Sequence, residues 1–434
     1  MINRIIKEDS DIVNLSTIIN GVFIVLIFTV YNIVSSSALL FLGLAVLLVD
    51  LILLPSLQFF YLTIFLASNV MTIKIVGKPN ALLGYVTILF CVLLLLKYGL
   101  TFKKNVLLKL VAGSLLFVLP LLVNGESISF FIRVVSFVIT IIVIYNIQNV
   151  DEISLLKCYI IGCTVNVISG IIFRLSKGIN IFSEVFFGIN DDRNYFAISC
   201  AIALSFLVFL ISYNKYFGWF EIINLLVLSL GGVLSNSRTF IILYAVIIVI
   251  FAFEFFRNPA VGMFLIALIV IWIIGKNTFL SDILGSFDNL MERFNENDVE
   301  GGNGRFESWK VYLGYLFSTI KSTFLGCGSS NRYIKLVGWG TKVVEHNSIV
   351  QLLFTEGILG TMGYIVIFSS FSDIVKKQKK FNYSITRILP FIVLVVGYCT
   401  INGAFSDRFI FSLYLCFCIL NLPKLETERK KMRF

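Results

Sequence analysis

The chain has 434 residues, of which 58% are hydrophobic and 14% charged, with 43 phenylalanines and a formal net charge of +10. A water-soluble protein covers its surface with about 25% charged residues, so this composition excludes a soluble globular enzyme. The basic excess does not indicate nucleic acid either. It gathers between apolar runs, at Lys97, Lys103 and Lys104, at Lys376, Lys377, Lys379 and Lys380, and at Lys424, Arg429, Lys430, Lys431 and Arg433, which is the positive-inside pattern of cytoplasmic loops.

The first apolar run follows Met1–Asp11, which mixes Arg4 and Lys7 with Glu8, Asp9 and Asp11. No small-residue cleavage site follows it, so the run reads as an anchor and not as a removed signal peptide. Continuous apolar runs near the length that crosses roughly 30 Å of hydrocarbon predict membrane helices; a strand barrel would show short alternating segments. Spans are predicted at 15–34, 38–54, 57–73, 81–96, 106–123, 128–147, 153–173, 195–213, 219–234, 238–256, 260–275, 347–371, 385–402 and 408–422. The expected fold is therefore all-α: one polytopic membrane domain over 1–434, with about fourteen transmembrane helices. An even count puts both termini on one side. The lysine cluster and the basic C-terminus make that side cytoplasmic, and segments 174–194 and 276–346 then fall outside.

Segment 276–346 carries eight basic and eight acidic residues, a net charge of zero, as an outer loop should. Loops this long are uncommon without a function. Glu300-Gly-Gly-Asn-Gly304 reads as a flexible turn. Beyond it, Phe306, Trp309, Leu313, Leu316, Phe317 and Ile320 recur at three- and four-residue spacing from Arg305 to Ser322. That periodicity predicts one amphipathic helix, lying on the outer membrane surface or packed over the bundle; packing for stability alone remains the alternative.

Four side chains in these outer regions have chemical potential. Arg305 opens the amphipathic helix, where a cation opposes the helix dipole at a cost of about 0.3–1 kcal/mol, yet the same place favours a bound anion; a solvated loop arginine is the alternative. Arg238 lies in Asn236-Ser237-Arg238-Thr239 at the outer junction of two spans. A snorkelling anchor would suffice there, but the polar neighbours suggest a pocket. Arg193, in Asp191-Asp192-Arg193-Asn194, either binds an anion or pairs with Asp192. His346 is the single histidine, between Glu345 and Asn347; it suits proton transfer near neutral pH, the alternative being a structural or solvated imidazole. Glu356 lies ten residues further along the same span, turned away from His346, and is expected to line a pocket, as is Asn347. The eight cysteines lie mostly inside apolar runs and form no Cys-x-x-Cys pair, so neither a zinc site nor a disulfide framework is expected. Arginine forks bind phosphate oxygens through paired hydrogen bonds, so the set as a whole suits a lipid-linked pyrophosphate.

In order along the chain stand Asp192-Arg193-Asn194-Tyr195-Phe196-Ala197, Ser237-Arg238-Thr239, Gly304-Arg305-Phe306-Glu307-Ser308-Trp309, Leu325-Gly326-Cys327-Gly328, Glu345-His346-Asn347-Ser348 and Glu356-Gly357-Ile358-Leu359-Gly360. In these patterns the chain resembles the bacterial O-antigen polymerase and ligase superfamily, which includes the Wzy-type polysaccharide polymerases. The resemblance covers about 170 residues; the N-terminal half is similar only as a string of membrane helices. It implies a metal-independent, cofactor-free membrane glycosyltransferase. Such an enzyme acts on undecaprenyl-pyrophosphate-linked oligosaccharide at the outer face of the bacterial inner (plasma) membrane. A flippase and a chain-length regulator are the partners expected with it. Arg193, Arg238 and Arg305 match pyrophosphate-binding positions, and His346, with Arg305, the catalytic ones. The reading this supports is polymerisation of a capsule or O-antigen-like glycan. A ligase moving finished glycan to another acceptor, and a flippase or transporter of the lipid-linked unit, are the alternatives; no internal repeat of a transporter kind is visible.

Overall fold

The computed structural model describes residues 2–67, 72–75, 78–81, 103–126, 128–147, 150–181, 185–189, 192–255, 305–329, 334–335, 342–343, 345–375, 384–403 and 406–423, with Leu89 and Val92. Apolar runs give helices throughout. In chain order these are α1 (Ile2–Val34), α2 (Ser37–Leu53), α3 (Ser56–Ala67), α4 (Lys104–Val123), α5 (Ile128–Asn146), α6 (Glu152–Ser176), α7 (Arg193–Asn214), α8 (Trp219–Leu234) and α9 (Arg238–Phe255). They continue as α10 (Arg305–Leu316), α11 (Ile320–Leu325), α12 (Ser348–Val375), α13 (Ile385–Tyr398) and α14 (Asp407–Asn421). Two short antiparallel ladders complete the described residues, β1 (Thr72–Ile75) with β2 (Lys78–Ala81) and β3 (Ile334–Lys335) with β4 (Lys342–Val343).

Twelve of the predicted apolar segments coincide with these helices; that at 260–275 lies outside the described residues, as does that at 81–96 apart from Ala81 in β2 and the helical Leu89 and Val92. Among the described residues, five helices are long and apolar enough to cross a membrane: Leu15–Val34, Lys104–Val123, Glu152–Ser176, Arg193–Asn214 and Ser348–Ile374. Their free faces are apolar. On α4, Leu107, Leu108, Val111, Leu115, Leu119 and Leu122 are exposed at helical spacing, and on α2 Phe41, Leu48, Ile52 and Leu53. In water such stripes would drive association; against hydrocarbon they are the matching surface. The chain is a helical membrane protein.

The centre is α7. Every residue from Phe196 to Ile211 is buried, sixteen in succession; a helix apolar on all sides is one enclosed by other helices. The phenylalanine content fills the space around it and between its neighbours. Phe137 stacks on Tyr364 at 5.1 Å between centroids and meets Phe368 edge-on at 4.8 Å, while Tyr398 meets Phe409 at 4.8 Å. Helices α4 and α12 cross so closely that a Cβ on Gly113 would stand 2.8 Å from the carbonyl oxygen of Gly363. Small residues allow that approach in a membrane bundle.

The bundle has two distinct ends. At one, Arg387 at the start of α13 donates to the carbonyls of Ile419, Leu422 and Pro423, in and just past the last turn of α14, and lies over the rings of Phe209 and Tyr213 near the end of α7. Lys109 on α4 pairs with Asp373 on α12 at 2.5 Å at the same end. Asp151 caps α6 there by accepting from the N–H groups of Ile153 and Ser154. At the other end α7, α9, α12 and α14 begin.

Three expectations are corrected. The segment predicted as a span over 57–73 is a twelve-residue helix, α3, and Thr72 already belongs to a β ladder. The helix expected from Arg305 to Ser322 is two helices, broken at Phe317–Thr319. Thr319 caps α11 by accepting from the N–H of Ser322, and the hydroxyls of Ser322 and Thr323 donate to the carbonyl of Leu316, which the break releases. Its buried stripe is Ser308, Tyr312 and Leu316, with Trp309 half-buried, whereas Phe306, Phe317 and Ile320 are exposed, Ile320 by 82%. The span predicted over 347–371 runs to Val375 and is interrupted at Gly357, whose φ of 63° and ψ of −169° are not helical.

Candidate functional site: a ring of helix N-termini

Arg193, Arg238 and Arg305 are each the first residue of a helix, α7, α9 and α10. Local chemistry sets those starts. Asp192 accepts from the N–H groups of Asn194 at 2.7 Å and Tyr195 at 3.2 Å through one carboxylate oxygen. Asn236 turns the chain into α9 with a φ of 54°, a left-handed conformation that asparagine tolerates.

Side chains tie the starts together. The Ser237 hydroxyl donates to Oδ1 of Asn194 at 3.2 Å, joining α9 to α7. Arg305 and Arg238 feel each other's charge: burial first, and the Arg238 cation second, pull the Arg305 guanidinium below its ordinary value. The indole N–H of Trp309, one turn into α10, donates to the carbonyl of Glu345 at 2.7 Å, the residue before His346. Asn347 then caps α12, its side chain accepting from the N–H groups of Ile349 and Val350. The N–H of Asn347 donates to Oδ1 of Asn402 at 3.1 Å, and the carbonyl of Asn402 accepts from the Tyr195 hydroxyl on α7. The loop of Asn402 is held by Ser348, which donates to Ile401 and accepts from Gly403.

Four helix N-termini thus meet at one end of the bundle, three opening on an arginine and the fourth preceded by His346. The arginines are half-buried and the histidine is exposed. His346 has a φ of 45°, so the backbone there is left-handed, a strained conformation for a side-chain-bearing residue. Such a site concentrates positive potential from free backbone N–H groups and guanidinium forks, and offers it to an oxyanion beside an imidazole.

Glu356 is separate from this ring. It is fully buried in α12, nine residues beyond Asn347 and roughly 13 Å along the helix. A Cβ at Gly360 would touch both it and Pro120 on α4, so it belongs to the packing of α12 on α4. The helix is interrupted beside it at Gly357, where the Gly326–Gly328 segment docks: the N–H groups of Cys327 and Gly328 donate to the carbonyls of Phe354 and Thr355 at 2.7 and 3.2 Å. Glu126 holds the far side of that segment, accepting from the N–H and hydroxyl of Ser329. Burial raises the thiol pKa of Cys327 above its ordinary value.

Sequence reasoning missed Tyr195, Asn402 and Arg408. Tyr195 and Asn402 are ordinary polar residues whose role comes from tertiary contact. Arg408 carried a signal, a charge at the edge of an apolar span, and was absorbed into that span. Among the described residues no group of three His, Cys, Asp or Glu side chains is arranged to hold a metal. In comparisons with known proteins, the chain matches no family model, no curated protein and no solved structure.

Proposed function

We propose that the protein is a membrane polysaccharide polymerase, transferring a growing glycan from undecaprenyl pyrophosphate onto the next lipid-linked repeat unit. The observation that carries this reading is the convergence of Arg193, Arg238 and Arg305, each opening a helix, with His346 in the same ring. In the reaction, an acceptor hydroxyl attacks the anomeric carbon of the donor. The bond from that carbon to the pyrophosphate oxygen breaks, and the leaving pyrophosphate takes the electron pair. The hydroxyl proton passes to the imidazole of His346. The arginines and helix N-termini stabilise charge growing on the leaving group, and His346 supplies the base.

The two ends of the bundle support the expected topology. Helices α12 and α14 run from the arginine end to the opposite one, from which the chain continues into the basic segments 376–383 and 424–434. With those segments cytoplasmic, the arginine end faces out, both termini lie inside, and 276–346 is the extracytoplasmic loop of a protein with about fourteen spans. Undecaprenyl-linked glycan meets the enzyme there without a nucleotide sugar.

The test is the length profile of surface and lipid-linked glycan with the gene intact, deleted, or carrying Arg305→Ala. Deletion and substitution should each leave single repeat units, with the variant still in the membrane. Long chains that persist on the carrier lipid in the deletion strain would make the protein a ligase; repeat units confined to the cytoplasmic face would make it a flippase.

A further inference from the structure

Arg408, the second residue of α14, is 8% exposed, and its Nη1 has no hydrogen-bond partner among the described residues. Its guanidinium lies over the ring of Tyr195, 5.3 Å from the centroid. Among the described residues no carboxylate lies within ion-pair distance of it. Tyr398, Tyr159 and Cys163 also face it; a buried cation without a counter-charge is costly, and these neutral groups offset only part of that cost. Its place at the first turn of a helix adds to the penalty, because the dipole is positive there. Nothing in the packing of α14 asks for a cation at this point. An anion does.

The geometry also says where such an anion would sit. On the first turn of α7, Asn194 reaches toward Ser237 and the Arg238–Arg305 side, whereas Tyr195 reaches toward Asn402 and Arg408. The turn separates two cationic places. Asn402 joins the Arg408 side to Asn347 and so to His346, while Trp309 joins the Arg305 side to Glu345. The backbone that carries His346 is therefore tied to both sides, through Glu345 to the one and through Asn347 to the other.

We infer that the site holds two anion subsites, Arg238 with Arg305 for the pyrophosphate of the donor and Arg408 beside Tyr195 for the pyrophosphate of the acceptor. This rests on the polymerase reading for its assignment of donor and acceptor. Polymerisation is the case in which both substrates carry a lipid pyrophosphate, so two subsites match its stoichiometry.

The experiment is calorimetric titration of the full chain in detergent with geranyl pyrophosphate, with geraniol as the uncharged control. The wild type should bind two equivalents, Arg408→Gln one, Arg305→Gln one, and the double variant none. Arg408→Lys, which keeps charge but loses the planar fork, should bind the second equivalent at least 10-fold more weakly. Without ligand, Arg408→Met should melt at or above the wild-type temperature, since it removes an uncompensated charge; a fall would make Arg408 a structural clamp. One equivalent in the wild type, or two in a folded Arg408→Gln, overturns the second subsite. Glycan profiling reads the polymerase assignment separately: two equivalents with normal chain length in the deletion strain would leave the subsites standing and remove their assignment.

Discussion

At the scale of single residues, the site is assembled from positions that are each unfavourable for folding. Arg305 shares a half-buried place with Arg238, and each opens a helix against its dipole. Arg305→Gln relieves both penalties, so the ligand-free variant should melt at a higher temperature than wild type while turnover falls by about 10²-fold or more; equal or lower melting would show that the two cations do not repel in the folded chain. His346 obeys the same logic through its backbone. Its φ of 45° penalises most side chains but is tolerated by asparagine. His346→Asn should therefore keep the fold and the melting temperature and lose polymer, which separates the base from the turn it occupies; normal chain length in that variant would remove the imidazole from the mechanism. Arg193, Arg238, Arg305 and His346 were legible in the sequence because charged residues stand out in polar segments between apolar runs, whereas Arg408 was absorbed into one. Tyr195 and Asn402 were not, because their role is defined by what lies opposite them across the bundle.

At the scale of elements, the most constrained contact is the docking of Gly326–Gly328 on the interruption of α12. A Cβ on Gly357 would lie 2.4 Å from the N of Gly326 and 2.5 Å from the carbonyl oxygen of Phe324, and both glycines have positive φ. Gly357→Ala should cost about 2–4 kcal/mol, combining left-handed strain with overpacking. Gly314, exposed inside α10 with open space at its Cβ, makes the contrast. Gly314→Ala should be neutral or stabilise by about 0.4–1 kcal/mol. Thermal melting of the two variants checks both, and similar melting would mean that the docked segment is not a determinant of the fold. Helix identity was readable from apolar periodicity, element by element. The breaks were not. Threonine and serine at 318–319 end one helix and cap the next, and Gly357 interrupts a run that stays apolar on both sides, so hydropathy is blind to each.

At the scale of the whole molecule, the proposed reaction needs its two polar ends kept on opposite sides of the membrane. Lys310 on α10 is exposed at the arginine end and Lys215, closing α7, at the opposite end. A membrane-impermeant maleimide should label Lys310→Cys in intact cells, and Lys215→Cys only after lysis, with the wild-type chain as blank. The reverse pattern would turn the arginine ring toward the cytoplasm and remove the proposed substrate from its reach. The expected topology rests on the basic segments that follow α12 and α14, and the labelling pattern decides it. The convergence of α7, α9, α10 and α12 at one end was not legible in the sequence, since no local pattern encodes which helices stand side by side.

The enclosure of α7 has a consequence for biogenesis. A helix that touches no lipid in the finished protein needs no lipid-facing side chains, yet Arg193–Asn214 is as apolar as its lipid-facing neighbours. That apolar character is used during synthesis, when the segment must partition from the translocon into the bilayer. Afterwards the later helices α8, α9 and α13 join the earlier α6 around it. The mature position of α7 thus fits a history in which it enters the membrane as a stem beside α6 and is closed in by the chain that follows it.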